Sequence, residues 1–280
     1  LFNAEEGLAI VAGIAQEDSF TVATARLYVG RAQLAALKID DAIRTLDRAR
    51  ASMRKVRGAA SPEVATLTAL HALALAHNGR IAEAQREIEA EIPGFATAAP
   101  YFKQCGLHLA GVVRRMAGDL VGAAELQKQA LEALPDSPIH AFQRARVHAE
   151  LARLARERAE HEQALALLDG PPAQTMLSDP IAPESADWLL TRGRALLALG
   201  RREQALATVL RTAAFWRDFA PQSRSAGEAA FWLGRCYAEL GRASDAKRAY
   251  VRAVEILAHS PLPSDAGLRQ RARRALLAQP

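Results

Sequence analysis

Gly200-RREQ-Ala205 and Gly241-RASD-Ala246 are two copies of one turn: a helix end, a charged or polar stretch, then alanine. Upstream copies read Leu37-KIDD-Ala42, Gly79-RIAE-Ala84, Gly118-DLVG-Ala123 and Ala159-EHEQ-Ala164. The closing alanine recurs after 42, 39, 41, 41 and 41 residues, at positions 42, 84, 123, 164, 205 and 246. Self-similarity at a fixed period marks a stacked array, and this period with a helix-turn-helix pattern marks an all-α solenoid, expected as a right-handed superhelix. Such an array offers an extended binding surface and seldom carries chemistry itself.

The prolines set the phase. Of the 13, all but Pro280 are expected between repeats: Pro62, Pro93, Pro100, Pro135, Pro138, Pro171, Pro172, Pro180, Pro183, Pro221, Pro261 and Pro263. Proline breaks helix interiors but is tolerated in loops and in the first turn. Ser61-Pro62 reads as an N-cap followed by proline at the first helical position. The expected repeats cover 19–57, 62–91, 98–134, 138–169, 184–218 and 223–259, within one domain over 1–280. A leading helix (3–16) precedes them, and a closing helix (265–277, starting at Ser264) covers the end of the stack. The longest irregular stretch is expected between Gly170 and Glu184. The chain starts at Leu1 inside an amphipathic pattern (Phe2, Leu8, Ile10, Val11, Ile14), which reads as a piece of a longer or processed protein.

Composition agrees with helices. Half the residues are apolar and only 5% are aromatic. Ala, Leu, Arg, Glu and Gln dominate, all strong helix formers. The net charge is +5 from 36 basic residues, of which five are lysine (Lys38, Lys55, Lys103, Lys128, Lys247). That arginine bias reads as a GC-rich bacterial genome, and the small charge excess is no nucleic-acid signature. Arg269, Arg271, Arg273 and Arg274 put a basic face on the closing helix, without an aromatic stacking platform beside it. No apolar run is long enough to span a membrane. Cys105 and Cys236 fall three repeats apart and are expected as thiols, since a disulfide needs Cα atoms within about 7 Å.

Chemistry-bearing motifs are absent. The seven histidines (His71, His77, His108, His140, His148, His161, His259) make no HExxH pair, and there is no CxxC, no phosphate loop and no GxSxG elbow. Neither a metal, a cofactor nor an enzymatic activity is expected of this sequence. Asp40-Asp41 opens a second helix, where the helix dipole favours negative charge.

These residues resemble tetratricopeptide repeats over nearly the whole chain. In that family a small residue in the middle of the first helix lets the next helix approach. The matching positions are Gly30, Ala72, Gly111, Ala152, Gly193 and Gly234, and the alanine opening the second helix is present six times. A later small residue of the second helix is matched by Ala49, Ala130 and Ala253 but not by Glu91, Pro171 or Thr212. The aromatic near the end of the first helix appears only as Tyr237, and the family's early tryptophan is missing, although Trp232 lies nearby. The period exceeds the usual ~34 residues. It is similar to the longer-helix subgroup of kinesin light chains and of repeat regions in bacterial serine/threonine kinases and transcription regulators.

The resemblance implies a partner-binding groove. Directly after the small residues come Arg31, Leu73, Val112, Arg153, Arg194 and Arg235, a position that lines the groove in the family. Arg115 and Arg156 lie one turn onward, with His77 and His108 nearby. Arginine forks bind carboxylates bidentately, so an acidic protein or peptide is the expected partner. The same arginines could instead pair internally with Glu157, Asp187, Glu228 and Glu239, and the sequence leaves both readings open. The Lys and Asn constellation of the peptide-end clamp is absent. The expected function is an interaction or sensor domain of a bacterial signalling protein, with a membrane-anchored serine/threonine kinase as the favoured parent. The sensing arm of a transcription regulator and an assembly scaffold for a secretion or envelope machine are the alternatives. The compartment, cytoplasmic or periplasmic, is not legible.

Overall fold

A computed structural model describes residues 2–36, 38–178, 183–260 and 265–278. Leu37, Ser264 and the prolines at 180, 261, 263 and 280 lie outside the described residues. Fifteen α-helices and a 3-10 turn (138–140) form the described chain, with no strand among those residues. No described helix is long and apolar enough to cross a membrane.

The chain divides into two compact units, 1–135 and 136–280. The first holds α1 (Phe2–Ile14), α2 (Phe20–Ala35), α3 (Ile39–Arg57), α4 (Pro62–His77), α5 (Ile81–Thr97), α6 (Pro100–Met116) and α7 (Leu120–Glu132). The second holds α8 (Ala141–Glu157), α9 (His161–Asp169), α10 (Pro172–Leu177), α11 (Pro183–Ala198), α12 (Arg202–Phe219), α13 (Arg224–Glu239), α14 (Ala243–Ala258) and α15 (Ala266–Leu277). Helices pack in sequential pairs, α2 on α3, α4 on α5, α6 on α7, α8 on α9, α11 on α12 and α13 on α14.

Each recurring turn among the described residues is a helix stop with one geometry. Gly79, Gly118, Gly200 and Gly241 have φ between +72 and +90°, the left-handed region that favours glycine. The next N–H reaches back to the carbonyl five residues earlier: Arg80 to Leu75, Asp119 to Arg114, Arg201 to Leu196 and Arg242 to Tyr237. This is the Schellman closure, which satisfies helix-end carbonyls. The alanine that ends each motif is fully buried in all six copies. Ala159 adopts the same left-handed backbone at φ 63° without being glycine, and Glu160 N–H still bonds Ala155 O at 2.8 Å. A Cβ in that region costs about 1–2 kcal/mol, while glycine loses roughly 0.5–1 kcal/mol in chain entropy. Ala159→Gly should therefore stabilise the protein by about 0.5 kcal/mol or more. Equilibrium urea unfolding checks this, and a lower midpoint for the variant would contradict it.

The small mid-helix residues sit where helices touch. A Cβ built on Gly30 would come within 2.6 Å of Leu46, on Gly193 within 2.5 Å of Val209, and on Gly234 within 2.6 Å of Tyr250. On Gly111 it would meet Gln127 at 2.3 Å. Each partner stands sixteen residues downstream, so one contact recurs with the repeat. Ala72 and Ala152 hold the same position fully buried. Ser61 Oγ accepts the Val64 N–H at 3.3 Å with Pro62 at the helix start, as the sequence indicates.

Two expectations need correction. Pro93 is not between helices: α5 runs through it to Thr97 instead of ending near residue 91. Proline loses a helix hydrogen bond and crowds the preceding turn. Phe95, two residues later, is fully buried and fills the space left by Gly106, where a Cβ would lie 2.2 Å from the ring. That burial holds the helix together past the proline. Nor is the 170–184 stretch wholly irregular, because α10 packs on α8 with Met176 buried. Ser185 Oγ donates to Met176 O, fastening α11 to α10, and the buried Trp188 indole donates to Leu168 O at 3.2 Å, fastening α11 to α9. Thr212, which departs from the small-residue pattern, is fully buried and donates to Ala186 O at 3.2 Å.

Candidate functional site

The first helices of unit 2, α8, α11 and α13, stand side by side. Helical spacing sets one stripe of α13 as Glu228, Trp232, Arg235 and Glu239, four, three and four residues apart. Arg194 on α11 and Arg153 and Arg156 on α8 belong to the same surface.

Glu228 is its hub. One oxygen accepts from Arg194 Nη1 at 3.0 Å and the other from Arg224 Nη1 at 2.6 Å. Arg224 also donates to the buried Asp265 at 2.8 Å. Burial opposes ionisation of Glu228, but Arg224, Arg194, Arg156 and Arg153 outweigh it and hold its pKa below the ordinary carboxylate value. Burial pulls the pKa of Arg194 down to about 10, with Glu228 opposing and Arg156 adding to the effect, so Arg194 is charged at neutral pH. Its guanidinium lies 4.4 Å from the centre of the Trp232 ring, a cation–π contact. Arg153 bonds the buried Glu150 at 3.2 Å and stands 3.7 Å from Asp187. Enclosure by protein raises the pKa of Asp187 against the pull of Arg153, although its side chain still touches water. Arg156 pairs with Glu157 at 3.2 Å.

Where α8, α11 and α13 end, a cavity of about 450 Å³ opens. Arg156, His161, Arg194, Leu197, Arg202, Trp232, Arg235 and Glu239 line it, together with Ala198 and Gly200. Arg202 and Arg235 are about half exposed and share the single carboxylate of Glu239, at 3.6 and 3.9 Å. Both separations exceed hydrogen-bond length. Arg235 also stands 5.8 Å from the Trp232 ring centre.

The sequence singled out eight residues. Arg153, Arg156, Arg194 and Arg235 share the unit 2 surface just described, and three of them reach the cavity. Arg31 belongs to unit 1, where it is exposed on α2. His77 and Arg115 are half-buried in the last turns of α4 and α6. His108 departs from its expected place beside a groove. It is buried against α7, its Nδ1 2.8 Å from Gln127 Oε1, while Gln127 Nε2 donates to the His108 carbonyl at 2.8 Å. The reason is its spacing: three residues before Gly111, it shares the packing face. The sequence reading missed His161, Leu197, Arg202 and Trp232 as cavity residues. The α13 stripe could have revealed Trp232, since Arg235 and Glu239 were both in view.

Cys105 and Cys236 make no disulfide. Burial pushes the Cys236 thiol up to about 12, so it is inert at neutral pH. Among the described residues no cluster of His, Cys, Asp and Glu could hold a metal ion.

No protein-family model matches the chain, and comparison with curated proteins gives no significant match. Solved structures do match. The apo form of RapI superposes with a TM-score of 0.62 at 13% identity, over 91% of this chain and 70% of that one. BtubC (BKLC) from P. vanneervenii gives 0.60 at 16% identity, over 79% of this chain and 91% of that one. A putative kinesin light chain of Podospora anserina, with nearly identical TPR-like repeats, gives 0.53 at 19% identity, over 72% and 98%. At these identities the likeness is one of fold. The chain has an all-helical, TPR-like repeat fold.

Proposed function

We propose that the chain is a protein-interaction domain that holds a peptide segment of its partner on the first-helix face. The observation that carries this reading is the arginine-rich face of α8, α11 and α13, with a cavity of about 450 Å³ at its end. Repeat helices supply a firm support for such a surface, and the loops between them are short. Arginine-lined surfaces favour acidic segments and raise their association rate. The long repeat period supports placement in a bacterial signalling protein as its docking or sensing region, and a membrane-anchored serine/threonine kinase is the parent favoured by that resemblance. A kinase region and a hydrophobic span encoded upstream would support that parent; a helix-turn-helix segment there would replace it.

Panning a displayed random-peptide library on the folded chain tests the interaction itself. Enriched peptides should lose at least tenfold in affinity on Arg235→Glu or Arg31→Glu, both substitutions of exposed side chains on first helices. Absence of enrichment, or binders indifferent to both variants, overturns the reading.

A further inference from the structure

The cavity of unit 2 has a charge balance of its own. The charge of Arg194 is matched by Glu228 and that of Arg156 by Glu157. Arg202 and Arg235 have one carboxylate between them and no hydrogen bond to it. Two cations facing one anion leave one positive charge uncompensated at the cavity mouth. Behind the lining, the Trp232 indole Nε1 and Arg194 Nε are buried with no hydrogen-bond partner among the described residues. His161 Nδ1 is likewise buried without a partner there. The rest of the lining is apolar, from Leu197 and Ala198.

Resting on the interaction reading above, we propose that this cavity seats one carboxylate, an aspartate or glutamate side chain of the bound segment. It is gripped by Arg202 and Arg235, and its stem lies on Leu197 and Ala198. A monoanion matches the single uncompensated charge. A phosphoryl group, carrying close to two charges at neutral pH, overshoots it. The guanidinium forks have the donor geometry a carboxylate needs. Trp232 holds the site in shape, because Arg194 lies on its ring and fixes the wall between α11 and α13.

The test uses the full chain and a capped pentapeptide with one central glutamate between glycines and leucines. The readout is the indole N–H resonance of Trp232, assigned with Trp232→Phe. The glutamate peptide should shift this resonance saturably, and the glutamine counterpart should act at least tenfold more weakly. Arg202→Ala with Arg235→Ala should weaken the glutamate response at least tenfold. Arg273→Ala with Arg274→Ala removes the same charge from the exposed face of α15 and should leave the response unchanged. No shift, an equal response to glutamine, or an equal loss in the α15 variant overturns the proposal. A phosphoserine counterpart binding tenfold tighter than glutamate overturns it too, in favour of a phosphate seat. A panned partner that ignores Arg202→Ala with Arg235→Ala but is lost on Arg31→Glu sinks the carboxylate seat and leaves the interaction reading standing.

Discussion

Glu228→Ala should lower the stability of the protein by about 3 kcal/mol or more, the cost of breaking a buried ion pair from one side. Glu228 is 13% exposed and neutralises Arg194, itself 17% exposed, together with Arg224. Removing the carboxylate leaves Arg194 enclosed without a counter-charge, beside Arg156. Arg224 fares better, because Asp265 still holds it. Glu228→Gln should cost less, since an amide oxygen can still accept one guanidinium hydrogen bond. The pH dependence follows from the depressed pKa of Glu228. A carboxylate with a lowered folded-state value contributes its full stabilisation above the unfolded value, about 4.3, and loses it as pH falls through the folded value. Wild type should therefore lose stability more steeply below about pH 4 than Glu228→Gln does. Thermal unfolding at pH 7 and pH 3 measures both effects. An unchanged Tm for Glu228→Ala at pH 7 would show that the arginines are solvated, not held by this hub.

The arginines around that hub differ in how closely carboxylates hold them. Arg153 and Arg194 are committed to enclosed carboxylates, so replacing both with alanine should cost stability first. Arg202 and Arg235 hold only a shared, distant carboxylate, so replacing them should leave the fold intact.

The fold was legible where local chemistry and tertiary packing agree. A glycine at a helix end, a charged stretch and a buried alanine each demand the same turn, and five described copies adopt it. Legibility failed where a distant contact overrides a local signal. Pro93 says stop, but Phe95 buried against Gly106 continues the helix. Pro171 and Pro172 end α9 as expected, yet Met176 finds cover on α8 and makes α10 a helix. At the site, the repeat register located Arg153, Arg194 and Arg235 on one face. It did not find Arg202, which follows the turn and enters the cavity from the second helix, since a single-helix register cannot show what a neighbouring helix contributes. His108 was misplaced because a residue three before the small position shares its packing face.

Gly193→Leu is the sharpest test of that register. Gly193 has ordinary helical backbone, so glycine is not needed there for conformation. What excludes a side chain is Val209, whose Cγ2 would lie 2.5 Å from a Cβ, with the Ala205 carbonyl at 3.6 Å. Val209 is 1% exposed and β-branched, so it has one comfortable rotamer in a helix and cannot swing aside. Leucine adds four carbons to a joint with no room for one, which should cost about 3 kcal/mol through separation of α11 from α12. Gly193→Ala is the finer probe. Alanine gains roughly 1 kcal/mol of helix propensity over glycine, set against a clash of similar or larger size. Joined to Val209→Ala, which removes the clashing methyls, Gly193→Ala should become stabilising relative to Val209→Ala alone. The double-mutant cycle thus gives a coupling energy of about 1 kcal/mol or more, of favourable sign. Additive effects, or a Gly193→Leu variant that unfolds with wild type, would mean that α11 and α12 do not meet at this pair. The sixteen-residue contact would then fail at Gly30, Gly111 and Gly234 as well, because all four rest on one repeated geometry.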